Sequence, residues 1–326
     1  MLRIATFNLE NLDDGPQAVP PLEERIPVLR PQLEDLHADI LCLQEVNGQK
    51  TNGQSPRTLA ALDRLLENTA YADFHRAFTE RPDGKGAADK HNLVVLSRFP
   101  ITAQNVIRHQ LVAPLLVRMT GAVPNQEEAQ PISWDRPVLQ VEISLENGDK
   151  LHLINLHLRA PLAVSIPGQK LSASVWKTVA GWAEGYYLAS MKRSGQALEA
   201  RLLVDQVFDE DPGALVAVCG DVNADDNEVP VRILKAELDD TDNPDLAGRM
   251  LTDLDERLPE EQRYSIIHHG RHQMLDHILV SQNLAARCRC VEVMNQGVRD
   301  EYVDQLADYH SAQSHHAPMV VLFDDE

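Results

Sequence analysis

Apolar and polar positions alternate in short runs along the whole 326-residue chain. In Val138–Leu145, Leu139, Val141, Ile143 and Leu145 interleave with Gln140, Glu142 and Ser144, the two-residue period of a half-buried strand. Leu2–Phe7, Ile40–Gln44, Leu93–Ser97, Leu151–Leu158, Leu215–Cys219, His277–Ser281 and Met319–Phe323 are further strand-like runs. Glu146-Asn147-Gly148-Asp149 separates two of them, and Asn-Gly predicts a hairpin there. Helical periods lie between the runs. Leu59, Leu62, Leu65 and Leu66 share one face of Thr58–Asn68, and Leu198, Leu202, Leu203 and Val207 mark Ser194–Phe208. Glu23–His37 is also predicted helical, with its start left open by Pro27 and Pro31.

Hairpins and helices in mixed order predict an α/β protein of packed sheets with outer helices, rather than a strictly alternating barrel. No internal repeat and no long Pro/Gly/Ser-rich linker interrupts the chain, so residues 1–326 are predicted to form one domain. Apolar residues make up 43% of the chain, enough for a sizeable core, and charged residues 25%, which excludes a low-complexity or collagen-like protein. No apolar run approaches the roughly 20 residues of a membrane span. Nothing in Met1–Phe7 resembles an export signal, so the expectation is a cytoplasmic protein. The four cysteines are too few and too scattered for a disulfide framework, and Cys288-Arg289-Cys290 is too short for a zinc site; reduced core thiols are expected.

The net charge of −20 is unevenly spread. Residues 205–261 carry a net −14, whereas residues 159–201 carry +4 together with Trp176, Trp182, Tyr186 and Tyr187. Cations beside aromatics suit a phosphate-bearing, stacking ligand, although the same aromatics would equally serve a core-packed surface segment. The overall acidity argues against long counterion-releasing contacts with duplex DNA. Any grip on a polyanion is expected to be local and aided by divalent cations.

Common catalytic motifs are missing: there is no G-x-S-x-G, no Walker loop and no H-E-x-x-H. Gly84-Lys85-Gly86-Ala87-Ala88 precedes a strand and is read as a surface turn. Polar residues instead recur at strand ends: Asn8, Glu45, His157, Asp221, Asn223, Asp276 and His316. Singly each is an ordinary turn or cap residue. Together they hold the oxygen ligands and bases of a hydrolytic metal site, since hard divalent cations prefer carboxylate and amide oxygens.

The ordered segments Thr6-Phe7-Asn8-Leu9-Glu10, Leu43-Gln44-Glu45-Val46, Asn155-Leu156-His157-Leu158, Gly220-Asp221-Val222-Asn223, Leu275-Asp276-His277-Ile278-Leu279 and Ser314-His315-His316-Ala317-Pro318 resemble the motif series of the endonuclease/exonuclease/phosphatase superfamily. The resemblance runs from residue 2 to about residue 323. It implies a four-layer α/β sandwich of two packed mixed β-sheets flanked by helices, as in deoxyribonuclease I. It also implies a divalent cation, Mg²⁺ or Mn²⁺, held by Glu45 with Asn8 beside it. Asp221 and Asn223 would hold the attacking water and the phosphate, His157 would donate to a phosphate oxygen, and Asp276 would orient His316. Asp221 and His316 both remain candidates for the general base. Arg193-Ser194-Gly195-Gln196 resembles the family's Arg-x-x-Gln, and Arg193 with Arg159 are the expected substrate contacts.

One position departs from the family pattern: His315 stands where Ser-Asp-His has its acid. His315 and the nearby Glu10 are expected close to the metal, an imidazole there favouring Mn²⁺. The implied activity is hydrolysis of a phosphate ester, foremost by a nuclease-like phosphodiesterase. The alternatives are a phosphatase or phosphodiesterase for a small phosphorylated molecule or lipid headgroup, and a catalytically inactive binding module.

Overall fold

The predicted strands form and pair into two six-stranded sheets, in a computed structural model that describes residues 1–50 and 56–325. Numbered in chain order, the first sheet runs β15 (Cys288–Val293), β16 (Met319–Phe323), β1 (Leu2–Leu12), β2 (Ile40–Val46), β4 (Asn92–Ser97), β3 (His75–Phe78). The second runs β11 (Leu251–Asp253), β14 (Asp276–Ser281), β10 (Leu215–Asp221), β9 (Lys150–His157), β8 (Val138–Ser144), β5 (Ile101–Ile107). Each sheet is antiparallel apart from one central parallel pair, β1 with β2 and β9 with β10. Both are therefore mixed. β6 (Leu115–Val117) with β7 (Gln130–Ile132), and β12 (Ile266–His268) with β13 (Arg271–Gln273), make two small ribbons.

The two-residue period explains the layering. Ile4, Ile40, Cys42 and Val95 of the first sheet meet Leu139, Leu153, Ala217, Cys219 and Ile278 of the second in a shared core. The alternate residues Phe7, Leu41 and Leu43 face outward onto helices α1 (Leu22–Asp35) and α2 (Ala60–Leu66). Ile154, Leu156, Val216 and Val218 likewise pack on α3 (Val179–Glu210), which α4 (Val229–Lys235) adjoins. The result is the expected four-layer sandwich. Among the described residues, no helix is long and apolar enough to cross a membrane.

Some expectations change. α3 begins at Val179, fifteen residues before the predicted Ser194, with the Thr178 hydroxyl capping it by accepting from the Gly181 amide at 3.0 Å. Pro27 and Pro31 both lie inside α1 on its exposed side, where water can serve the carbonyls they leave unbonded, while Leu22, Leu29 and Leu33 hold the other face in the core. Cys42 and Cys219 are buried free thiols, but Cys288 and Cys290 lie on edge strand β15, half-buried and exposed, rather than in the core. The hairpin joining β8 to β9 forms as predicted.

At one end of the sandwich the core-facing positions turn polar in several strands at once. Ile4 is followed on that face by Thr6 and Asn8, Cys42 by Gln44, Leu153 by Asn155 and His157, and Cys219 by Asp221. Thr6, Gln44 and Asn155 interlink there: Gln44 Nε2 donates to Asn155 Oδ1 at 2.8 Å and to Thr6 Oγ1 at 3.1 Å. This buried polar floor closes the apolar core and opens the site. β10 reaches it by passing tightly under β9 at Gly220, where a Cβ would lie 2.0 Å from the Leu156 carbonyl oxygen and φ is +134°.

Candidate active site

Asp221 sits at the centre of a buried polar cluster. Its Oδ2 accepts from Asn8 Nδ2 at 3.0 Å and from Asn223 Nδ2 at 3.1 Å, and its Oδ1 accepts from the Asn223 amide at 2.8 Å. His157 Nε2 lies 3.3 Å from Asp221 Oδ2 and 3.6 Å from Glu45 Oε1. On the other side, His316 Nδ1 is 2.7 Å from Asp276 Oδ2. Ligand atoms of Asp221, Asp276 and His316 all lie within 4.8 Å of one another, as do those of Glu45, His91 and His157. Residues from Asn8 to His316 are thus brought into one cluster.

Local backbone irregularity aims two of these groups. The β2–β4 register shifts between Leu43 and Val46, and Glu45 adopts φ +58° in that bulge. A bulge re-aims a side chain that strict alternation would send to the outer layer. Its Oε2 is fixed by the Asn11 amide at 2.9 Å. Asn223, at φ +52°, turns back so that both its amide groups reach Asp221.

Burial and neighbouring charge set the protonation of the centre. Burial, reinforced by the Asp276 carboxylate, pushes Asp221 up to about 7 against the pull of His316. Burial alone would lower His316, but Asp276 and Asp221 outweigh it and hold its imidazolium well above the ordinary range. His157 goes the other way: burial and the Arg136, His91 and His316 charges keep it neutral.

Two residues of the site have no place in the motif series. Arg136 donates from Nη1 to the Leu158 carbonyl at 3.0 Å, its Nη2 lies 2.8 Å from His91 Nδ1, and its charge acts on Glu45 and Asp221. It is delivered by Trp134, whose ring packs on Gly195 of α3 and whose Nε1 donates to Glu199 Oε2 at 2.8 Å. A Cβ on Gly195 would come within 2.6 Å of that ring. His91 adds a third side chain beside Glu45 and His157. Both come from loops, where neither strand period nor motif order marks them. The signal was Trp134-Asp135-Arg136-Pro137 itself, an aromatic anchor beside a cation.

Four expected site residues, Arg193, Arg159, His315 and Glu10, are engaged by other groups of the protein. Arg193 donates to the Asn223 carbonyl and pairs with Glu228 at 3.0 Å, so its buried guanidinium holds the loop after β10. Arg159 pairs with Asp135 at 3.3 Å and donates to the Leu162 carbonyl, beside the cleft. Gln196, of the same Arg-x-x-Gln, donates to the Arg136 carbonyl and accepts from the Arg159 amide. His315 is clamped between two carboxylates, Nδ1 at 2.9 Å from Glu10 Oε2 and Nε2 at 3.1 Å from Asp304 Oδ2. Both its nitrogens are therefore committed to the Glu10 and Asp304 carboxylates.

The basic, aromatic stretch is a surface. Trp182 and Tyr187 are 44% and 58% exposed, and Trp182 stacks on Tyr186 with ring centroids 5.5 Å apart. Lys170 Nζ lies 4.8 Å above the Trp176 ring.

No curated protein matches the sequence. Solved structures share the fold over nearly its full length. Truncated TDP2 of Caenorhabditis elegans matches with a TM-score of 0.59 at 17% identity, covering 99% of this chain and 97% of that one. An AP endonuclease of Archaeoglobus fulgidus matches with 0.52 at 17%, covering 99% and 100%. A mannosyl-6-phosphatase of Bacteroides thetaiotaomicron matches with 0.57 at 16%, also covering 99% and 100%. Residues 5–297 match the sequence pattern of the endonuclease/exonuclease/phosphatase family, and the chain belongs to that family.

Proposed function

We propose that the protein is a divalent-metal-dependent phosphodiesterase of nuclease type, with the pocket around Asp221 as its active site. Members of the family hydrolyse phosphoester bonds and generally use divalent cations. The observation that carries the reading is the convergence on Asp221 of Asn8, Asn223 and His157, with the Asp276–His316 pair within the same few ångströms.

The donor set fits a cation. Glu45, His91 and His157 offer one oxygen and two nitrogens at mutual ligand spacing, and Nδ1 of His157 and Oδ1 of Asp276 are buried without any hydrogen-bond partner. The nitrogen content favours Mn²⁺ over Mg²⁺. When bound, the ion would supply charge neutralisation for the phosphoryl oxygens and acidify water.

The chain's own residues divide the remaining work. Asp221, poised near neutral pH and held by three amide donors from Asn8 and Asn223, is the base that takes the proton of the attacking water. His316, whose imidazolium Asp276 favours, is suited to donate to developing negative charge. Asn223 orients the water and phosphate, and Arg136 adds fixed positive charge. The exposed Trp182–Tyr186 stack, on the helix that also carries Arg193, gives bases of a single strand a place to lie.

A second reading, a phosphatase or phosphodiesterase for a small phosphorylated molecule, is favoured by the net charge of −20, which repels long polyanions. Plasmid DNA, single-stranded DNA, RNA, bis-p-nitrophenyl phosphate and inositol phosphates, each assayed with Mg²⁺ and Mn²⁺, separate the two. Cleavage of single strands supports the nuclease reading. Turnover confined to small esters replaces it with the second, and turnover of nothing leaves a binding module.

A further inference from the structure

A second cluster of ligand-type side chains lies on the opposite face of β14 from Asp276. Asp226, Asp253, Asp255 and His277 offer one ligand atom each, all within 4.8 Å of one another, and the last three side chains are buried. His277 organises the group. Its Nε2 lies 2.9 Å from the Ala224 carbonyl and 3.1 Å from the Met274 carbonyl, so this nitrogen carries a hydrogen. Its Nδ1 faces Asp253 Oδ2 at 2.9 Å and Asp255 Oδ2 at 2.8 Å.

One hydrogen on Nδ1 cannot serve two carboxylates well, and the shortfall is visible. Asp255 is 0% exposed, yet neither of its oxygens has a well-formed hydrogen bond, and Oδ1 of Asp226 is likewise buried and unpartnered. Arg263 reaches only the other oxygen of Asp226, at 3.5 Å. Burying carboxylate oxygens without donors is strongly unfavourable, and such groups are found paired or on metals. The open groove formed by Asp225, Asn227, Glu260, Arg263 and His272 runs up to Asp226 and provides an entry.

We propose that Asp226, Asp253, Asp255 and His277 form a second divalent-cation site, separate from the catalytic pocket. Three carboxylates with one imidazole suit a borderline first-row ion, Mn²⁺ or Zn²⁺. Binding exchanges the ion for the Nδ1 proton of His277, which passes to solvent, while Nε2–H stays on the Ala224 and Met274 carbonyls. A ligating histidine whose other nitrogen donates to a backbone carbonyl is the usual supporting arrangement. The ion would fasten the loop after β10, which carries Asn223 and Asp226, to β14, which carries Asp276. Its role is positional.

The test uses the whole chain, stripped with a chelator and dialysed against Zn²⁺ or Mn²⁺ alone, with bound metal counted by mass spectrometry and the melting temperature recorded. The Glu45→Ala variant, crippled in the catalytic pocket, is expected to keep one ion per chain and to melt several degrees higher with it. Adding Asp226→Asn at the rim, or Asp255→Asn inside, is expected to weaken that uptake by at least about tenfold and to abolish the rise. Asp226→Asn alone guards against misfolding of the buried variant. No ion and no rise in Glu45→Ala, or uptake unchanged by Asp226→Asn, overturns the site. The readout is independent of any phosphoesterase activity, so it stands or falls apart from the proposed function.

Discussion

Asn8 Nδ2 donates to Asp221 Oδ2 across 3.0 Å, joining the last inward positions of two strands in different sheets. The bond stabilises the Asp221 carboxylate against burial, which otherwise pushes it up to about 7. Asn8→Asp keeps the size and replaces the donor with a like charge. The expected outcome is that the acid limb of the kcat–pH profile, set by deprotonation of Asp221, moves up by about one unit or more. The rate near neutral pH falls with it. An acid limb that stays in place would remove Asp221 as the base.

Arg136 concerns charge rather than proton transfer. Its guanidinium sits against His91 and acts on Glu45 and Asp221, so phosphate entering the pocket meets a fixed cation there. Arg136→Ala is expected to lower kcat/KM for bis-p-nitrophenyl phosphate by roughly 10²-fold, in line with loss of one preorganised electrostatic donor. The matching control is Arg159→Ala, whose side chain pairs with Asp135 beside the cleft; it should change turnover of this small ester far less. Equal losses in the two variants would contradict the placement.

These two residues also show where the sequence could be read and where it could not. Asn8 and Asp221 are extensions of an inner strand face that begins with Ile4 and Ala217, so period and motif order both pointed to them. Arg136 depends on Trp134 finding Gly195 more than fifty residues away, a contact no local pattern encodes. The first half of α3 carries no clear helical period because Gly181, Gly185 and exposed aromatics blur it, while Thr178 supplies the cap. Edge strand β5 is hidden for a related reason: Thr102, Gln104 and Asn105 leave it without an apolar run. A motif places His315 only along the chain, whereas Glu10 and Asp304 decide where its ring goes.

The Glu10–His315–Asp304 clamp carries a pH signature in stability. Burial alone would lower His315, but Glu10 and then Asp304 raise it above the ordinary 6.5. A raised histidine contributes stability fully below 6.5 and loses it as pH rises through its folded value. Glu10, which burial would raise, is lowered by His315, and Asp304 is lowered by Arg299 and His315; these contributions are present above 4.5 and 3.8 and are lost on acidification. The clamp is thus strongest from the carboxylate range up to about pH 6.5. His315→Gln removes the charge, so its melting temperature should trail the wild type most near pH 5.5 and least near pH 9. A constant gap across that range would mean that the clamp is uncharged.

Trp182 separates recognition from chemistry. Tyr186 is seven residues before Arg193 on α3, which places the aromatic stack roughly 10 Å along the helix from the residue that grips the Asn223 carbonyl. A strand lying across the stack would reach the pocket within a few nucleotides, since a base stacked on an aromatic ring contributes about 1–3 kcal/mol. Trp182→Ala is therefore expected to raise KM for single-stranded DNA by about tenfold or more while leaving kcat nearly unchanged. For bis-p-nitrophenyl phosphate, too small to span that distance, both constants should match the wild type. If KM for the strand does not move, the stack plays no part in binding, and the small-ester reading gains the ground that the nuclease reading loses.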